Sequence, residues 1–298
     1  MTSALIIGQR RQLAATVMLA PLVLGLTVFA VYPLVYLIGL AFTRSELGRQ
    51  FQEYVGWENF DWALTGTIFP TSLWNTVIFA FVVSGAQLVL GLAIAYLLYR
   101  YARTGRIIRT LILLPMMTPP VMVGVAWKLI LNPSGGWLNG VLLRSGLIER
   151  PVSFLGDAQL AFPSIMLADT WQWTPLVVIL CFAALQSLPK DVFEAAAIDG
   201  AYDGAIFWRL TLPMIAPSLV AIFLMRLVMA FKTFDLVYIL TFGGPGNATS
   251  IASFEIWKTA LREFDVGLAA AQTLLLAITV SIVTLPVVII FNWVERRT

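Results

Sequence analysis

Long runs of apolar residues alternate with short polar stretches along almost the whole chain. A helix needs about 20 apolar residues to cross the hydrocarbon core of a bilayer, and six runs reach that length. The pattern predicts an all-α, polytopic membrane protein with six transmembrane helices. The predicted spans, in chain order, lie at about residues 13–42, 72–99, 110–131, 161–188, 214–240 and 266–293.

Prolines interrupt the third predicted span. Pro115, Pro119 and Pro120 all lie inside this span. Proline removes a backbone donor and clashes with the preceding turn, so these residues predict a kink or a break. Such a break is tolerated in a membrane only where protein or a cavity covers the freed carbonyl groups.

The overall composition supports the membrane assignment. The 298 residues are 59% hydrophobic and only 12% charged, whereas a soluble domain carries roughly twice that charged fraction. The polar stretches are too short to build an independent core. We therefore expect one transmembrane domain over residues 1–298, embedded in a lipid bilayer. The formal net charge of +3 gives no reason to expect a nucleic-acid partner.

Several kinds of chemistry are missing from the sequence. The chain has no histidine and one cysteine, Cys181, which removes histidine-based metal sites and internal disulfides. It also has no Gly-x-x-x-x-Gly-Lys-Ser/Thr loop for nucleotide phosphates. We expect no catalytic residues, no metal and no cofactor bound by this chain.

Lysine and arginine predict the orientation, because cytoplasmic loops carry an excess of both. One side has ten of these residues and the other has six, so the ten-residue side is predicted to be cytoplasmic. Both termini and the loop at residues 189–212 then face the cytoplasm. The ten are Arg10, Arg11, Arg100, Arg103, Arg106, Arg109, Lys190, Arg209, Arg296 and Arg297; the six are Arg44, Arg49, Arg144, Arg150, Lys258 and Arg262.

The loop at residues 189–212 has an ordered pattern of its own. Small and apolar residues recur there at helical spacing, which predicts a short amphipathic helix. Gly200 is expected to break that helix, because glycine tolerates backbone angles that other residues avoid. A second short piece should follow to Leu212, and Pro213 should open the fifth span. The residues on the apolar side of the first helix are Phe193, Ala196, Ala197 and Ala201.

The same loop resembles the EAA loop of membrane subunits of ATP-binding-cassette (ABC) importers. It has Glu194-Ala195-Ala196, then Gly200, and a tail of Leu210-Thr211-Leu212-Pro213. Other stretches resemble the carbohydrate branch of these permeases, that of the maltose-type first permease subunit, in its commoner six-span version. They are Tyr32-Pro33, Trp74-Asn75-Thr76, Leu114-Pro115, Trp127-Lys128, Asn132-Pro133, Gly136-Trp137-Leu138-Asn139 and Leu240-Thr241-Phe242-Gly243-Gly244-Pro245.

The resemblance implies a fold, a function and partners. The fold is that of a type I ABC importer (MetI-like) permease in a bacterial inner membrane. The function is to translocate a sugar or sugar derivative as a transport subunit that is not itself an enzyme. The implied partners are a second permease subunit, a dimer of ATPase subunits that binds ATP and Mg, and an extracytoplasmic solute-binding protein.

The resemblance also implies roles for two loops. The loop at 189–212 is expected to be a coupling helix that docks on the ATPase. The glycine-rich turn after the fifth span is expected to help seat the binding protein, although its sequence alone is typical of a tight turn. The coupling residues are Glu194, Ala195, Ala196, Asp199, Gly200, Ala201 and Pro213; the binding-protein contacts are Gly243, Gly244 and Pro245.

Charged residues within the spans point to a polar path. A charge at membrane depth costs about 2.5–3.5 kcal/mol on insertion scales, so it normally faces a partner or a cavity. Asp169 and Lys232 are predicted to lie at similar depth. They either form an ion pair, extend to the membrane interface, or line the path of a solute. The neighbouring tryptophans either belong to an interfacial belt or stack on sugar rings. By family resemblance the solute-path positions are Asp169, Gln172, Trp173, Met229, Lys232 and Thr233.

Two other functions fit some of these features. An ion-coupled secondary transporter would use Asp169 or Asp235, but such proteins usually show inverted repeats and more spans. An intramembrane enzyme without histidine would need serine–lysine or paired-aspartate chemistry, and no such motif stands out.

Lys232 departs from the family pattern towards positive charge, which favours an anionic or acidic sugar.

Overall fold

The computed structural model describes residues 18–66, 68–100 and 106–295. Within these residues the chain forms twelve helices and one β-hairpin. Residues 13–17 of the first predicted span lie outside the described residues, as do Arg10, Arg11, Arg103, Arg296 and Arg297. The elements are α1 (Met18–Ala41), β1 (Thr43–Glu46), β2 (Arg49–Tyr54), α2 (Glu58–Thr65), α3 (Phe69–Arg100), α4 (Arg106–Met117), α5 (Pro120–Ile130), α6 (Trp137–Arg144), α7 (Ala161–Gln186), α8 (Lys190–Ile198), α9 (Asp203–Ala230), α10 (Asp235–Leu240), α11 (Ala252–Leu261) and α12 (Val266–Glu295).

Five described helices are long and apolar enough to cross a membrane: α1, α3, α7, α9 and α12. A sixth span is formed if the bent pair α4 and α5 counts as one. Thr110–Met117 and Pro120–Ile130 meet at an angle of 97°. The bend falls where Pro119 and Pro120 remove two successive backbone donors, which is the break that the sequence predicted.

The fifth span differs from its prediction. A continuous helix of 28 residues, Asp203–Ala230, replaces the expected span at 214–240. The second piece of the loop therefore belongs to this helix, and the prediction that Pro213 opens the span is wrong. At about 1.5 Å per residue the helix is long enough to cross a bilayer before the chain turns at Phe231. The remaining apolar residues, up to Leu240, form the separate short helix α10.

Pro213 is accommodated by a π-helical segment. In α9 the segment Phe207–Thr211 is π-helical, and the Leu212 N–H bonds to the Phe207 carbonyl. The same pattern occurs in α1, where Thr27–Val31 is π-helical and Pro33 follows. Because proline cannot bond to the carbonyl four residues earlier, a local shift to wider hydrogen bonds lets the helix continue past it.

Contacts divide the chain into two compact units. The first comprises Met1–Gly66 and Ile256–Leu275, and the second comprises Thr67–Glu255 and Leu276–Thr298. In the first unit, the end of α1, the helix α2 and the start of α12 enclose a small apolar core. The hairpin, which the sequence did not predict, is antiparallel with Thr43 opposite Tyr54. The buried residues of the apolar core of this unit are Leu40, Ala41, Phe60, Ala270 and Ala271.

Close packing of α3 against α7 forms the centre of the second unit. At Gly91 a side chain would not fit, because a Cβ atom there would lie 2.6 Å from a methyl group of Val177. Small residues continue this contact along both helices, including Ala95 and Cys181, which are fully buried. Glycine and alanine at such positions let two membrane helices approach closely, and α9 adds Ile215 to the same core.

Candidate functional site

A cavity of about 240 Å³ lies in the second unit, among α5, α7, α9 and α10. It is found near the start of α7, where Asp169 lies eight residues, or about 12 Å, from the first residue of the helix. All six residues predicted for the solute path line it. The lining is Pro120, Asp169, Gln172, Trp173, Arg226, Met229, Lys232, Thr233, Phe234, Asp235 and Leu236.

The most buried charge in this cavity is Asp169, which is 0% exposed. Its carboxylate forms an ion pair with Arg226 of α9, and both side chains are removed from solvent. Asp169 Oδ2 also accepts a hydrogen bond of 2.9 Å from the amide of Gln87 on α3. One carboxylate oxygen therefore joins three helices. The predicted alternative, an ion pair between Asp169 and Lys232, is replaced by the pair with Arg226.

Gln172 connects the cavity with the break between α4 and α5. Its side-chain amide donates to the carbonyl of Thr118, at 3.4 Å, in the link between the two helices. The prolines that follow Thr118 cannot donate to the preceding turn, so carbonyl groups near the break need other partners. Gln172 is itself buried, and its own carbonyl oxygen has no hydrogen-bond partner among the described residues.

Trp173 lies beside the buried ion pair. The guanidinium carbon of Arg226 is 5.4 Å from the centre of its ring, which is within the range of a cation–π contact. Its neighbour Trp171 contacts the ring of Trp127 instead and is 46% exposed, as an interfacial tryptophan would be. The two tryptophans that the sequence placed side by side thus have different surroundings.

The turn between α9 and α10 supplies the opposite wall of the cavity. Met229 belongs to the last turn of α9, and Lys232 and Thr233 follow where the helix ends. Lys232 is exposed, and no ion pair of Lys232 is found within the described part of the chain. The nearby Lys128 donates to the carbonyl of Ile239, at 3.0 Å, near the end of α10. Lys128 therefore bonds to the end of α10 and does not line the cavity.

The predicted coupling residues Glu194, Ala195, Ala196, Asp199, Gly200 and Ala201 lie in and just after α8. Gly200 has a φ angle of +76°, the left-handed conformation that favours glycine. The Ala201 N–H bonds to the Ala196 carbonyl and closes the end of the helix. The short helix and its break at Gly200 are as predicted, and Pro213 lies 13 residues further on, within α9.

Much of this loop is exposed although it carries large apolar side chains. No residue of α8 is buried, and the exposed fractions of Ile198, Tyr202 and Trp208 are 86%, 74% and 67%. Contiguous exposed apolar residues with charged neighbours are typical of a protein-binding surface. The start of α9 contacts the end of α3 through a surface ion pair between Asp203 and Arg100.

The glycine-rich turn after α10 is well ordered by hydrogen bonds. The Thr249 hydroxyl donates to the Gly244 carbonyl at 2.7 Å, and the Thr249 N–H bonds to the Gly243 carbonyl at 3.2 Å. The peptide bond between Gly244 and Pro245 is cis. These residues form a compact turn, and their predicted contact with a binding protein stays a prediction.

Gln87 was not predicted as a site residue from the sequence, and Arg226 had no predicted role. Gln87 is a fully buried amide in the middle of the apolar helix α3. A polar residue in mid-span was the available signal, because such a group needs a partner inside the protein. The sequence did not show that Asp169 is its partner, because the two residues are 82 positions apart and meet only through the packing of α3 on α7.

Buried, paired charges around a cavity, among helices able to span a bilayer, define a polytopic transport protein. Residues 87–298 match the family described as "Binding-protein-dependent transport system inner membrane component". The chain belongs to this family, and it is a multi-pass inner-membrane permease component.

Known relatives resemble the chain along most of its length. It is 33% identical over 274 residues to the trehalose/maltose transport system permease protein MalF of Thermococcus litoralis, covering 91% of this chain and 92% of that protein. It is also 33% identical over 246 residues to the sn-glycerol-3-phosphate transport system permease protein UgpA of Pectobacterium atrosepticum, covering 82% and 81%.

A solved structure has the same fold. A chain of a bacterial alginate ABC transporter, crystallised with an alginate pentasaccharide-bound periplasmic protein, superposes with a TM-score of 0.78. The match covers 97% of this chain and 96% of that chain at 23% identity. At that identity the likeness establishes the fold alone, and it confirms the predicted all-α, MetI-like permease fold.

Proposed function

We propose that this chain is the membrane-spanning permease subunit of an ABC importer for a sugar or sugar derivative. Separate ATPase subunits, which bind ATP and Mg, would supply the energy. An extracytoplasmic binding protein would deliver the solute, and a second permease subunit would complete the pathway. The chain itself would bind no cofactor and catalyse no reaction.

The cavity lined by Asp169 and Lys232 is the observation that carries this proposal. Three of its buried residues hold polar atoms without a hydrogen-bond partner among the described residues: Asp169 Oδ1, Gln172 Oε1 and Arg226 Nε. Two of these atoms accept hydrogen bonds and one donates. A solute with several hydroxyl groups matches such a set, because each hydroxyl both donates and accepts.

The remaining wall suits the carbon skeleton of a sugar. Trp173 and Met229 provide apolar surface beside the polar atoms, and flat apolar faces pack on the C–H groups of a sugar ring. A transporter must also release what it binds, so we expect each contact to be modest. A hydrogen bond to a neutral partner contributes about 0.5–1.5 kcal/mol, and one to a charged partner about 1.5–3 kcal/mol.

The relatives support a hydroxyl-rich solute but differ in its charge. One is named for the neutral sugars trehalose and maltose, and the other for the anion sn-glycerol 3-phosphate. Lys232 and Asp235, of opposite charge, both line this cavity. The Asp169 charge is already neutralised by Arg226. We therefore propose a polyhydroxylated solute, and the test includes both neutral and anionic solutes.

The exposed loop around α8 supports the proposed ATPase contact. Its apolar residues Ile198, Tyr202 and Trp208 are exposed, and Glu194 is exposed beside them. A docking helix needs such a surface, with large side chains free to enter a cleft of a partner. In this proposal the loop faces the cytoplasm, as the excess of arginine and lysine on its side of the membrane favours.

The test is transport by the assembled complex. The tagged chain would be purified from its native membrane, its co-purifying polypeptides identified, and the complex reconstituted in liposomes with its binding protein. Labelled maltose, trehalose and sn-glycerol 3-phosphate are the probes. We expect one or more of them to enter only with hydrolysable ATP. Uptake driven by a proton or sodium gradient without ATP would instead establish the ion-coupled alternative, and transport of none would refute the solute class.

A further inference from the structure

Gln87 makes two hydrogen bonds to the same residue from another helix. Its side-chain Nε2 donates to Asp169 Oδ2 at 2.9 Å and to the Asp169 backbone carbonyl at 3.1 Å. Both residues are 0% exposed. A two-point contact of this kind fixes the position of Asp169 along α7 and the rotation of its carboxylate.

The two oxygens of Asp169 have different surroundings. Oδ2 accepts from Gln87 and from the guanidinium of Arg226, whereas Oδ1 has no partner among the described residues. Two donors on one oxygen prevent the carboxylate from turning. Oδ1 is therefore held as the free acceptor of a residue that lines the cavity.

We propose that Gln87 is a positioning residue for solute recognition. It does not line the cavity. It acts by holding Asp169 so that Oδ1, which is buried in this structure, becomes the acceptor for a hydroxyl group of the solute when the cavity opens to it. This inference rests on the proposed function, because it assumes that the solute binds beside Asp169. It adds a residue of a third helix, α3, to a site that the family resemblance assigns to two spans.

A structural role alone predicts a different result. If Gln87 only stabilised the packing of α3 on α7, its loss would reduce the amount of assembled complex and leave solute affinity unchanged. If it positions Asp169, its loss weakens solute binding in complexes that have assembled. Two quantities separate these roles: the half-saturation constant for binding of labelled solute to the assembled complex without its binding protein, and the maximal rate of uptake per complex.

The experiment replaces Gln87 by leucine, which has similar volume but no donor. Binding to the complex without its binding protein, and uptake by the complete reconstituted complex, are measured for maltose, trehalose or sn-glycerol 3-phosphate, whichever of them the native complex carries. We expect Gln87→Leu to raise the half-saturation constant about tenfold, as for the loss of one hydrogen bond to a charged group. The maximal rate per complex should change less than about twofold. Ser84→Ala is the matched control, because Ser84 is a buried polar residue one turn earlier on α3.

A double mutant shows whether Gln87 acts through Asp169. Asp169→Asn leaves Arg226 unpaired and should lower the yield, so each variant is measured per assembled complex. On that basis Asp169→Asn alone should raise the half-saturation constant, and adding Gln87→Leu should raise it less than the product of the two single effects. If Asp169→Asn leaves the constant unchanged, the proposed solute site is wrong. If Asp169→Asn raises it and Gln87→Leu does not, or if the two effects multiply, only the positioning role is wrong.

A failure to assemble is also decisive. Gln87→Met has a side chain of similar length without donors and without a charge, so it provides a second variant if the leucine variant is lost. Absence of assembled complex in both variants, with normal assembly of Ser84→Ala, would overturn the positioning role in favour of a structural one.

Discussion

Asp169 and Arg226 are buried charges that each depend on the other for neutralisation. Both are almost fully buried, on different helices, and they form an ion pair. Taking two charges out of water costs several kcal/mol per ion, which the pair offsets only while both partners are present. Removing one partner leaves an uncompensated buried charge, whereas replacing both by groups of similar size is often tolerated.

This pairing predicts the outcome of three variants. Arg226→Met should reduce the amount of assembled complex, because an unpaired buried charge costs about 3–5 kcal/mol. Combining Arg226→Met with Asp169→Asn should restore most of it. Lys232→Met, the control, should assemble normally, because Lys232 is exposed and has no ion pair in the part of the chain that the structure describes. Complex yield after purification measures all three.

A different pattern of rescue would revive the pairing predicted from the sequence. If the yield of Asp169→Ala were restored by Lys232→Ala rather than by loss of Arg226, Asp169 would have Lys232 as its partner. Restored yield need not bring transport with it, because Asp169 is also proposed to contact the solute.

The sequence located the cavity residues but not their partners. Asp169 and Lys232 were recognisable because a charge at membrane depth normally faces a partner or a cavity, whereas Gln172 was placed by the family resemblance. Which of the nearby cations pairs with Asp169 depends on the rotation of α9 about its axis. Helix periodicity does not specify that rotation when almost every residue of the helix is apolar. Gln87 lies on α3, whose rotation about its own axis is likewise not specified by its largely apolar sequence, so its contact with Asp169 was not predicted.

The prolines and glycines determine how the helices of this chain break and continue. Pro119 and Pro120 separate α4 from α5, whereas Pro213 lies inside a continuous helix behind a π-helical segment. The sequence predicted the first break and misplaced the start of the fifth span. Hydropathy locates the apolar part of a helix. It cannot show that the residues from Asp203 to Arg209, a stretch with a charged residue at each end, continue the same helix.

Gly200 offers a direct test of the coupling loop. Proline cannot adopt the φ angle of +76° found there, because its ring fixes φ near −65°. Gly200→Pro should therefore change the angle between α8 and α9. We expect the variant complex to assemble but to lose most solute-stimulated ATP hydrolysis and transport. Glu194→Lys, which changes an exposed charge on α8, should have the same effect through the ATPase contact.

The matched control for this test is Gly200→Asn. Asparagine tolerates the left-handed conformation far better than most residues, so it should keep the turn and most of the stimulation. Normal stimulation in Gly200→Pro and Glu194→Lys, measured in the reconstituted complex, would remove the coupling role of this loop. Loss in Gly200→Asn as well would show that the glycine is needed for more than its backbone angle.

The molecule as a whole belongs to a family of inner-membrane permease components, but its orientation rests on the charge pattern alone. Ten lysine and arginine residues on one side against six on the other predict that the loop around α8 is cytoplasmic. The proposed function needs the same orientation, because an ATPase can reach that loop only from inside the cell. A reversed topology would remove the ATPase contact whatever the structure of the loop.

Single cysteines can decide the orientation. Ser187 lies just after α7 on the side of the coupling loop, whereas Ser153 and Asn247 lie in the loops at the other ends of the helices, and all three are exposed. Each would be replaced by cysteine in a Cys181→Ala background, where the native cysteine, fully buried between α3 and α7, is removed. A thiol reagent that does not cross membranes should label the cysteines at 153 and 247 in intact cells. It should label the one at 187 only after the membrane is opened, because charge retains that end of the helices inside during insertion. Labelling at 187 in intact cells, with 153 and 247 protected, would reverse the orientation and refute the proposed contact with the ATPase.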